Sequence, residues 1–396
     1  MISLRDQPRR ELGGPDPLDR RLGQPPLSAQ AWLRSLLFTR SALGLAPSLT
    51  PAVIFLPLGA LLGPRGIGWF TPQVLERLDV FVTITLAVLG VLVGIAVGRE
   101  VRASLRLLVA ASFESAVTVA AVAGATIFFV RYADVPLDAD IVIACGLAFG
   151  LCASASSATS APPDSEAAAS VATKVADLDD VLPIAATTVV FAFIASGESP
   201  SPWLYAVAPV ALGLIVGVIG WLLFDRAESG AERVVFVLGT LALAGGAASY
   251  LNVSPLAAGL VAGVFWATAR GRADQIVTND VQRVQHPLIV LLLLTAGALW
   301  VPSVVALWLL APYLLFRLVG KIAGAWVTAR FLDVRTSDLA AFLMPPGVLA
   351  IAFALNFRQV LLPATGEILV STVAMGTAAF ELFALAVVPH WRRRRD

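Results

Sequence analysis

Charged side chains are scarce in this sequence. Asp, Glu, Lys and Arg together make up 14% of its 396 residues, whereas about 25% is usual in soluble domains. Hydrophobic residues make up 58%, and the mean hydropathy is +0.83. Apolar runs of about twenty residues recur along the chain, which is the length a helix needs to cross a bilayer. The sequence therefore predicts an all-α polytopic membrane protein with the lipid bilayer as its surroundings.

The sequence also lacks the marks of several other protein classes. A net formal charge of +1 gives no reason to expect a nucleic-acid partner. The only two cysteines, Cys145 and Cys152, are too far apart on one helix (about 10 Å) for a disulfide bond. No phosphate-binding glycine loop, HExxH, CxxC or GxSxG motif occurs. We therefore expect no cofactor and no enzymatic activity.

Lysine is almost absent, since only Lys174 and Lys321 are lysines among the 28 basic residues. Lys321 lies four residues after Arg317 in an apolar run, so both side chains share one helix face. An arginine keeps its proton in proteins, whereas a buried lysine can release one. Two interpretations of Lys321 follow: a group that exchanges a proton, or one half of a structural ion pair with Asp179. Lys174 is interpreted as an interfacial residue.

Residues 1–43 are rich in Arg, Pro and Asp, and we interpret them as a disordered or surface-lying cytoplasmic extension rather than a signal peptide. Residues 44–391 form the predicted transmembrane domain, and 392–396 a basic tail. Arg-rich loops fall on one side of about twelve spans, which predicts that both termini are cytoplasmic in a bacterial-type inner membrane. The predicted spans are 44–63, 79–98, 105–130, 140–161, 174–196, 202–224, 233–250, 254–268, 284–301, 303–329, 336–357 and 366–390.

Two of these spans are interrupted. Span 4 ends in CASASSATSAPP (152–163), and span 11 contains MPPGVLA (344–350). Proline removes a backbone donor and breaks the helix, and unwound backbone at membrane depth survives only where it lines protein or a cavity. Broken spans at matching places in two halves indicate a transporter built from inverted repeats. Spans 3–5 and 10–12 would be those repeats, with two broken crossing helices, although an isolated proline pair also fits an ordinary kink.

The stretch from Val175 to Ser196 predicts a spanning helix that carries Asp177, Asp179 and Asp180 near its start. A carboxylate inside a membrane helix costs several kcal/mol, so it faces a cavity or a partner rather than lipid. Two adjacent acids repel each other as well, which suits a site that binds something positive. We expect Asp180 to carry a cation or a proton. Asp177, closer to the cytoplasm, is either an attractor at the mouth of a funnel or an ordinary interfacial acid.

The interrupted spans and their neighbours supply the other candidates. Thr159 and Ser160 offer hydroxyl oxygens beside backbone carbonyls, which are the ligands that a hard monovalent cation takes. Glu114 in span 3 and Glu381 in span 12 are interpreted as structural partners of Arg317 or of broken helix ends. His286 and His390 lie at predicted membrane edges, where a histidine can sense pH but usually only caps a helix or snorkels, so neither is assigned a role.

Several segments, in this order along the chain, resemble the monovalent cation:proton antiporter superfamily. LPLGALLGPRGIG (56–68) and VLVGIAVGREVRASLR (91–106) are similar to its first two conserved segments. ASSATSAPP resembles its broken "ATSP" stretch, and VADLDDVLPI its double-aspartate motif. NVSPLAAGLVAGVFWA (252–267), LVGKIAGAW and AFLMPPGVLAIAFAL (341–355) complete a series that spans about 50 to 390.

The resemblance implies a six-helix core, spans 105–196 and 303–390, that moves like an elevator against a dimerisation panel of spans 44–98 and 202–301. It implies a homodimer and exchange of sodium or another monovalent cation for protons. Mapped by motif, Asp180 would carry the cation and the proton, and Asp179 would pair with Lys321. A double aspartate with a lysine resembles the electrogenic branch of the superfamily.

Other functions stay open at the sequence level. One is a non-transporting membrane sensor or scaffold with the same fold that uses the N-terminal extension. Another is sodium-coupled uptake of an organic anion, for which the Ala/Ser run of span 4 offers few polar ligands.

Overall fold

A computed structural model describes residues 51–101, 104–133, 138–156, 166–195, 202–269, 273–332, 339–340 and 343–393. The predicted N-terminal extension, the predicted ligands Thr159 and Ser160, and the proline pair at 162 and 163 lie outside these residues. The secondary-structure elements in the described part of the chain are α-helices. The helices whose bounds lie within the described residues are α1 Pro51–Leu62, α2 Pro72–Val101, α3 Leu105–Tyr132, α4 Ala139–Ser154, α5 Glu166–Leu178, α6 Val181–Ala195, α7 Pro202–Phe224, α8 Gly230–Tyr250, α9 Pro255–Thr268, α10 Ala273–Ala298, α11 Val304–Leu332, α12 Val348–Arg358 and α13 Pro363–Arg393.

The helix lengths fit a protein that crosses a membrane many times. Seven helices in the described residues are long and apolar enough to span a bilayer, and α1, α4, α9 and α12 are shorter apolar helices. Large apolar side chains such as Trp203, Trp308 and Phe193 are more than two-thirds exposed, as expected where lipid is the solvent. The prediction of an all-α polytopic membrane protein is confirmed. The count of twelve spans and the crossing of the broken helices stay predictions.

Glycines bring helices of the predicted panel into backbone contact. A Cβ atom added at Gly94 of α2 would lie 2.1 Å from the carbonyl oxygen of Leu260 in α9, and one at Gly263 would lie 2.2 Å from that of Val91. Only a residue without a side chain allows such an approach, which is a common device for packing membrane helices. The same device joins α1 to α10, where Gly59 contacts Leu294.

The predicted core contains a second close pair, α3 with α11. A Cβ atom at Gly320 would meet the Cα atom of Thr118 at 2.8 Å, and one at Gly324 would meet the carbonyl oxygen of Glu114 at 2.9 Å. These two glycines flank Lys321 on α11 and hold it against Glu114 on α3. The GKIAG pattern therefore positions two ionisable side chains as well as two helices.

Span 5 differs from its predicted form. In place of one helix over 174–196, the structure has α5 ending at Leu178 and α6 beginning at Val181, with the turn between them formed by Asp179 and Asp180. The physical reason is Pro183, which has no N–H group to donate to the carbonyl of Asp179. That carbonyl instead accepts a hydrogen bond from the hydroxyl of Ser115 on α3. The double aspartate thus lies at a helix break.

The two predicted interruptions also appear in the described residues. Helix α4 ends at Ser154, and Ala155 leaves the helical region with φ −57° and ψ 136°. Residues 344–347 are not helical, and α12 begins after Gly347. Other helices begin well before the predicted spans: α10 begins at Ala273 rather than at 284, and Pro287 lies within it.

Candidate ion-binding site

Five ionisable side chains are buried together where the interruptions of α4, of α5–α6 and of the segment before α12 meet. Glu114, Asp179, Arg317 and Lys321 have no exposed surface, and Asp180 is 2% exposed. We call this set the buried charge cluster; it consists of Glu114 on α3, Asp179 and Asp180 at the α5–α6 break, and Arg317 and Lys321 on α11. Burial of so many ionisable groups is costly unless each finds a partner.

Lys321 is the centre of the buried charge cluster. Its ammonium nitrogen lies 3.1 Å from both carboxylate oxygens of Glu114 and 3.2 Å from Oδ2 of Asp179. It also donates to the carbonyl of Ser154 and, at 2.6 Å, to the hydroxyl of Ser156. The ammonium therefore joins α11 to α3, to the end of α4 and to the α5–α6 break.

Arg317 lies one turn before Lys321 and binds backbone rather than carboxylates in the contacts that the described residues give. Its guanidinium donates to the carbonyls of Ala153 and Ala155, and at 3.3 Å to that of Met344. Ala153 is in the last turn of α4, Ala155 follows the end of that helix, and Met344 is in the interruption before α12, so none of these carbonyls has a helical donor among the described residues. The guanidinium also lies over the ring of Phe380, 5.3 Å from its centroid. A single arginine thus donates hydrogen bonds to backbone carbonyls of both interrupted spans.

Asp179 and Asp180 are held differently. Oδ2 of Asp179 accepts from the hydroxyl of Ser156 and from Lys321. Oδ1 of Asp179 and Oδ1 of Asp180 are buried and have no hydrogen-bond partner among the described residues. Carboxylate oxygens in this situation are suited to bind a cation or a proton, since an unpaired buried polar atom is costly.

The structure brings together some of the predicted site residues but not all. Asp179, Asp180, Arg317, Lys321 and Glu114 are assembled in the buried charge cluster, whereas Asp177 is exposed on α5. Glu381 is buried on α13, next to Phe380. Glu114 was interpreted as a partner of Arg317 or of a broken helix end, and the ion pair that it forms among the described residues is with Lys321. The reason is the close approach of α3 and α11 at Gly324, which the sequence of α3 alone does not reveal.

Two serines belong to the site although sequence reasoning missed them. Pro183 has no N–H group for the carbonyl of Asp179, and the hydroxyl of Ser115 donates to that carbonyl instead. The hydroxyl of Ser156 accepts from Lys321 and donates to Oδ2 of Asp179. Ser115 directly follows Glu114, and Ser156 lies two residues after the end of α4. A hydroxyl next to a buried carboxylate or a helix break was the available signal.

A separate cavity of about 370 Å³ lies at the far end of α12. Asp79 and Arg358, which form an ion pair of 3.5 Å, contribute to its wall together with Glu367 and Gln359. Arg358 lies eleven residues beyond Gly347, which is about 16 Å along a helix. The cavity and the buried charge cluster are therefore distinct places on the molecule.

Comparison with known proteins relates the fold to that of a cation transporter. The solved structure of the sodium proton antiporter MjNhaP1 from Methanocaldococcus jannaschii at pH 8 superposes with a TM-score of 0.62. The match covers 86% of this chain and 93% of the antiporter chain, at 16% sequence identity. No protein-family model matches the chain, and a search of curated proteins finds no match either. The chain therefore has the fold of a sodium proton antiporter, and its activity has to be argued from the site.

Proposed function

We propose that this protein is a secondary transporter that exchanges a monovalent cation, sodium in the first place, for protons across a bacterial-type cytoplasmic membrane. The observation that carries the proposal is the charge balance of the buried charge cluster. Its three carboxylates face two cationic groups, so one negative charge is left over when all five are ionised. One bound cation or one bound proton would neutralise it.

In this proposal the excess negative charge of the buried charge cluster is on Asp180. Lys321 contacts Glu114 and Asp179, and Arg317 contacts carbonyl groups. Asp180 has a buried oxygen that lacks a hydrogen-bond partner within the part of the chain that the structure describes. Because a cation and a proton would compete for the same carboxylate, binding of one requires release of the other, and this competition is what couples the two fluxes.

Alternating access would follow from movement of the predicted core against the predicted panel. In this proposal α3–α6 and α11–α13 carry the buried charge cluster, while the glycine-packed helices of the panel, α1, α2 and α7–α10, stay fixed in a homodimer. The likeness to the antiporter fold supports this division. The double aspartate with a lysine supports electrogenic exchange, in which more than one proton moves for each cation.

The test is proton flux in proteoliposomes that contain the purified protein and a pH-sensitive dye. After a pH gradient is imposed, addition of sodium, lithium or potassium is expected to dissipate it, with a different half-saturating concentration for each cation. Choline chloride at the same ionic strength is the control. A gradient that survives all three cations over the whole physiological pH range would contradict the proposed function.

A further inference from the structure

The two carboxylates that share Lys321 are not equivalent. Glu114 presents both oxygens to the ammonium nitrogen, each at 3.1 Å, whereas Asp179 presents only Oδ2, at 3.2 Å. The other oxygen of Asp179 is buried without a hydrogen-bond partner among the described residues. Lys321 is therefore held more completely by Glu114 than by Asp179.

The two carboxylates also lie in different backbone settings. Glu114 lies in the middle of α3, its Cγ and carbonyl packed against Gly324 of α11, and Thr118 donates to its Oε1 at 3.4 Å. Asp179 lies at the α5–α6 break, where Pro183 has removed a helical hydrogen bond. Asp179 thus lies in a turn between two helices, whereas Glu114 lies within a helix that is packed closely against α11.

From this asymmetry we infer that Glu114 is a positioning residue for cation binding: it serves as the fixed counterion of Lys321 and so frees Asp179 to join Asp180 as a second ligand of the cation. The inference rests on the proposed function for the identity of the ligand. When the cation arrives, Asp179 turns toward it and gives up its contact with Lys321. The ammonium keeps a carboxylate partner throughout, so no buried charge is left unpaired.

Removing the charge of Glu114 should therefore weaken cation binding without emptying the site. In Glu114→Gln, Asp179 is the one carboxylate partner that Lys321 keeps among the described residues, and Lys321 retains Asp179. Sodium and lithium binding is measured as the cation-dependent rise in melting temperature of the purified protein, which does not require transport. We expect the half-saturating sodium concentration to rise about tenfold, and Glu114→Asp to restore most of the loss.

A double-mutant cycle with Asp179→Asn separates positioning from structural support. If Glu114 acts by freeing Asp179, Glu114→Gln should add little to the half-saturating concentration once Asp179 has become Asn. Equal effects in both backgrounds would overturn the inference, as would a Glu114→Gln protein with a lower melting temperature but an unchanged half-saturating concentration. Absence of any cation-dependent shift in the parent protein would overturn it too.

The same proteins separate this inference from the proposed function. Cation-dependent melting shifts that follow the expected cycle, in a protein that moves no protons in proteoliposomes, would support the role of Glu114 and contradict exchange. Proton exchange by the parent protein, together with a Glu114→Gln protein that keeps the parent half-saturating sodium concentration, would support exchange and contradict the role of Glu114.

Discussion

Arg317 illustrates how one residue determines the local architecture. It supplies donors to carbonyls at the end of α4 and at the interruption before α12, and it is fully buried. A buried carbonyl that loses its donor costs about 1–3 kcal/mol. The arginine therefore stabilises two interrupted spans that the membrane would otherwise not tolerate.

Arg317→Ala should therefore destabilise the protein by about 3 kcal/mol, since more than one carbonyl loses its partner. The measurement is the melting temperature of the purified protein in detergent. Arg317→Lys is the matched variant: it keeps the positive charge but cannot reach all three carbonyls in the planar fork geometry, so an intermediate value is expected. An Arg317→Ala protein as stable as the parent would contradict the assigned role.

Individual residues of the site were predictable from sequence to different degrees. Asp179, Asp180 and Lys321 could be selected because a charged residue in an apolar run is unusual enough to require a reason. The partner of Glu114 could not, because the contact depends on the approach of α3 and α11 at Gly324. Ser115 and Ser156 were missed since serine is common in membrane helices and its hydroxyl has many possible partners.

At the level of elements, the break between α5 and α6 is the feature that places the buried double aspartate outside regular helix. The apolar run after Asp180 predicts one continuous helix, and the hydropathy pattern gives no sign of a break. The sign lies in Pro183, whose missing N–H group leaves the carbonyl of Asp179 without its helical donor. Ser115 supplies a hydrogen bond from another helix. Local sequence thus indicates where the donor is lost, and only the tertiary structure shows what replaces it.

A double-mutant cycle tests this exchange of donors. Ser115→Ala alone should destabilise the protein by about 1–3 kcal/mol, because the carbonyl of Asp179 loses its partner. In a Pro183→Ala background the new amide at position 183 can donate to that carbonyl, so the same change should cost clearly less. The cost of Ser115→Ala in each background is measured as the change in the free energy of unfolding in a denaturing detergent series. Identical costs in the two backgrounds would show that Pro183 and Ser115 are independent.

At the scale of the whole molecule, the proposal requires the predicted core to move relative to the predicted panel. An ion pair joins the two groups: Lys174 on α5 lies 3.1 Å from Glu100 near the end of α2. This contact gives a role to the second lysine, which sequence reasoning had interpreted only as interfacial. A second ion pair, Arg99 with Asp274 at 2.9 Å, joins α2 to α10 within the panel.

These two ion pairs provide a matched cross-linking experiment. In a background in which Cys145 and Cys152 are alanine, Glu100→Cys with Lys174→Cys should allow a bifunctional thiol reagent to lock α5 to α2. We expect the cross-link to stop proton exchange and a reductant to restore it. Arg99→Cys with Asp274→Cys, cross-linked in the same way, should leave exchange intact. Exchange at the parent rate across a locked α5–α2 pair would contradict an elevator-like movement.

The fold class was the most predictable property of the whole molecule, because low charge and long apolar runs leave few alternatives to a helical bundle in a bilayer. The division into core and panel depends on motif order and remains a prediction. The length and hydropathy of the apolar runs predict the helix ends to within several residues. The largest errors of these predictions are at α10, where a polar first half continues the helix beyond the apolar run, and at the α5–α6 break.

Asp180 is proposed to carry both the exchanged cation and the proton, and a single substitution tests this role. Asp180→Asn keeps the shape of the side chain but removes the charge that the buried charge cluster leaves uncompensated. The measurement is sodium-driven proton flux in proteoliposomes at matched protein content, with the melting temperature as a check on folding. We expect a folded protein with no sodium-driven flux. A folded Asp180→Asn protein that exchanges sodium for protons at the parent rate would contradict it.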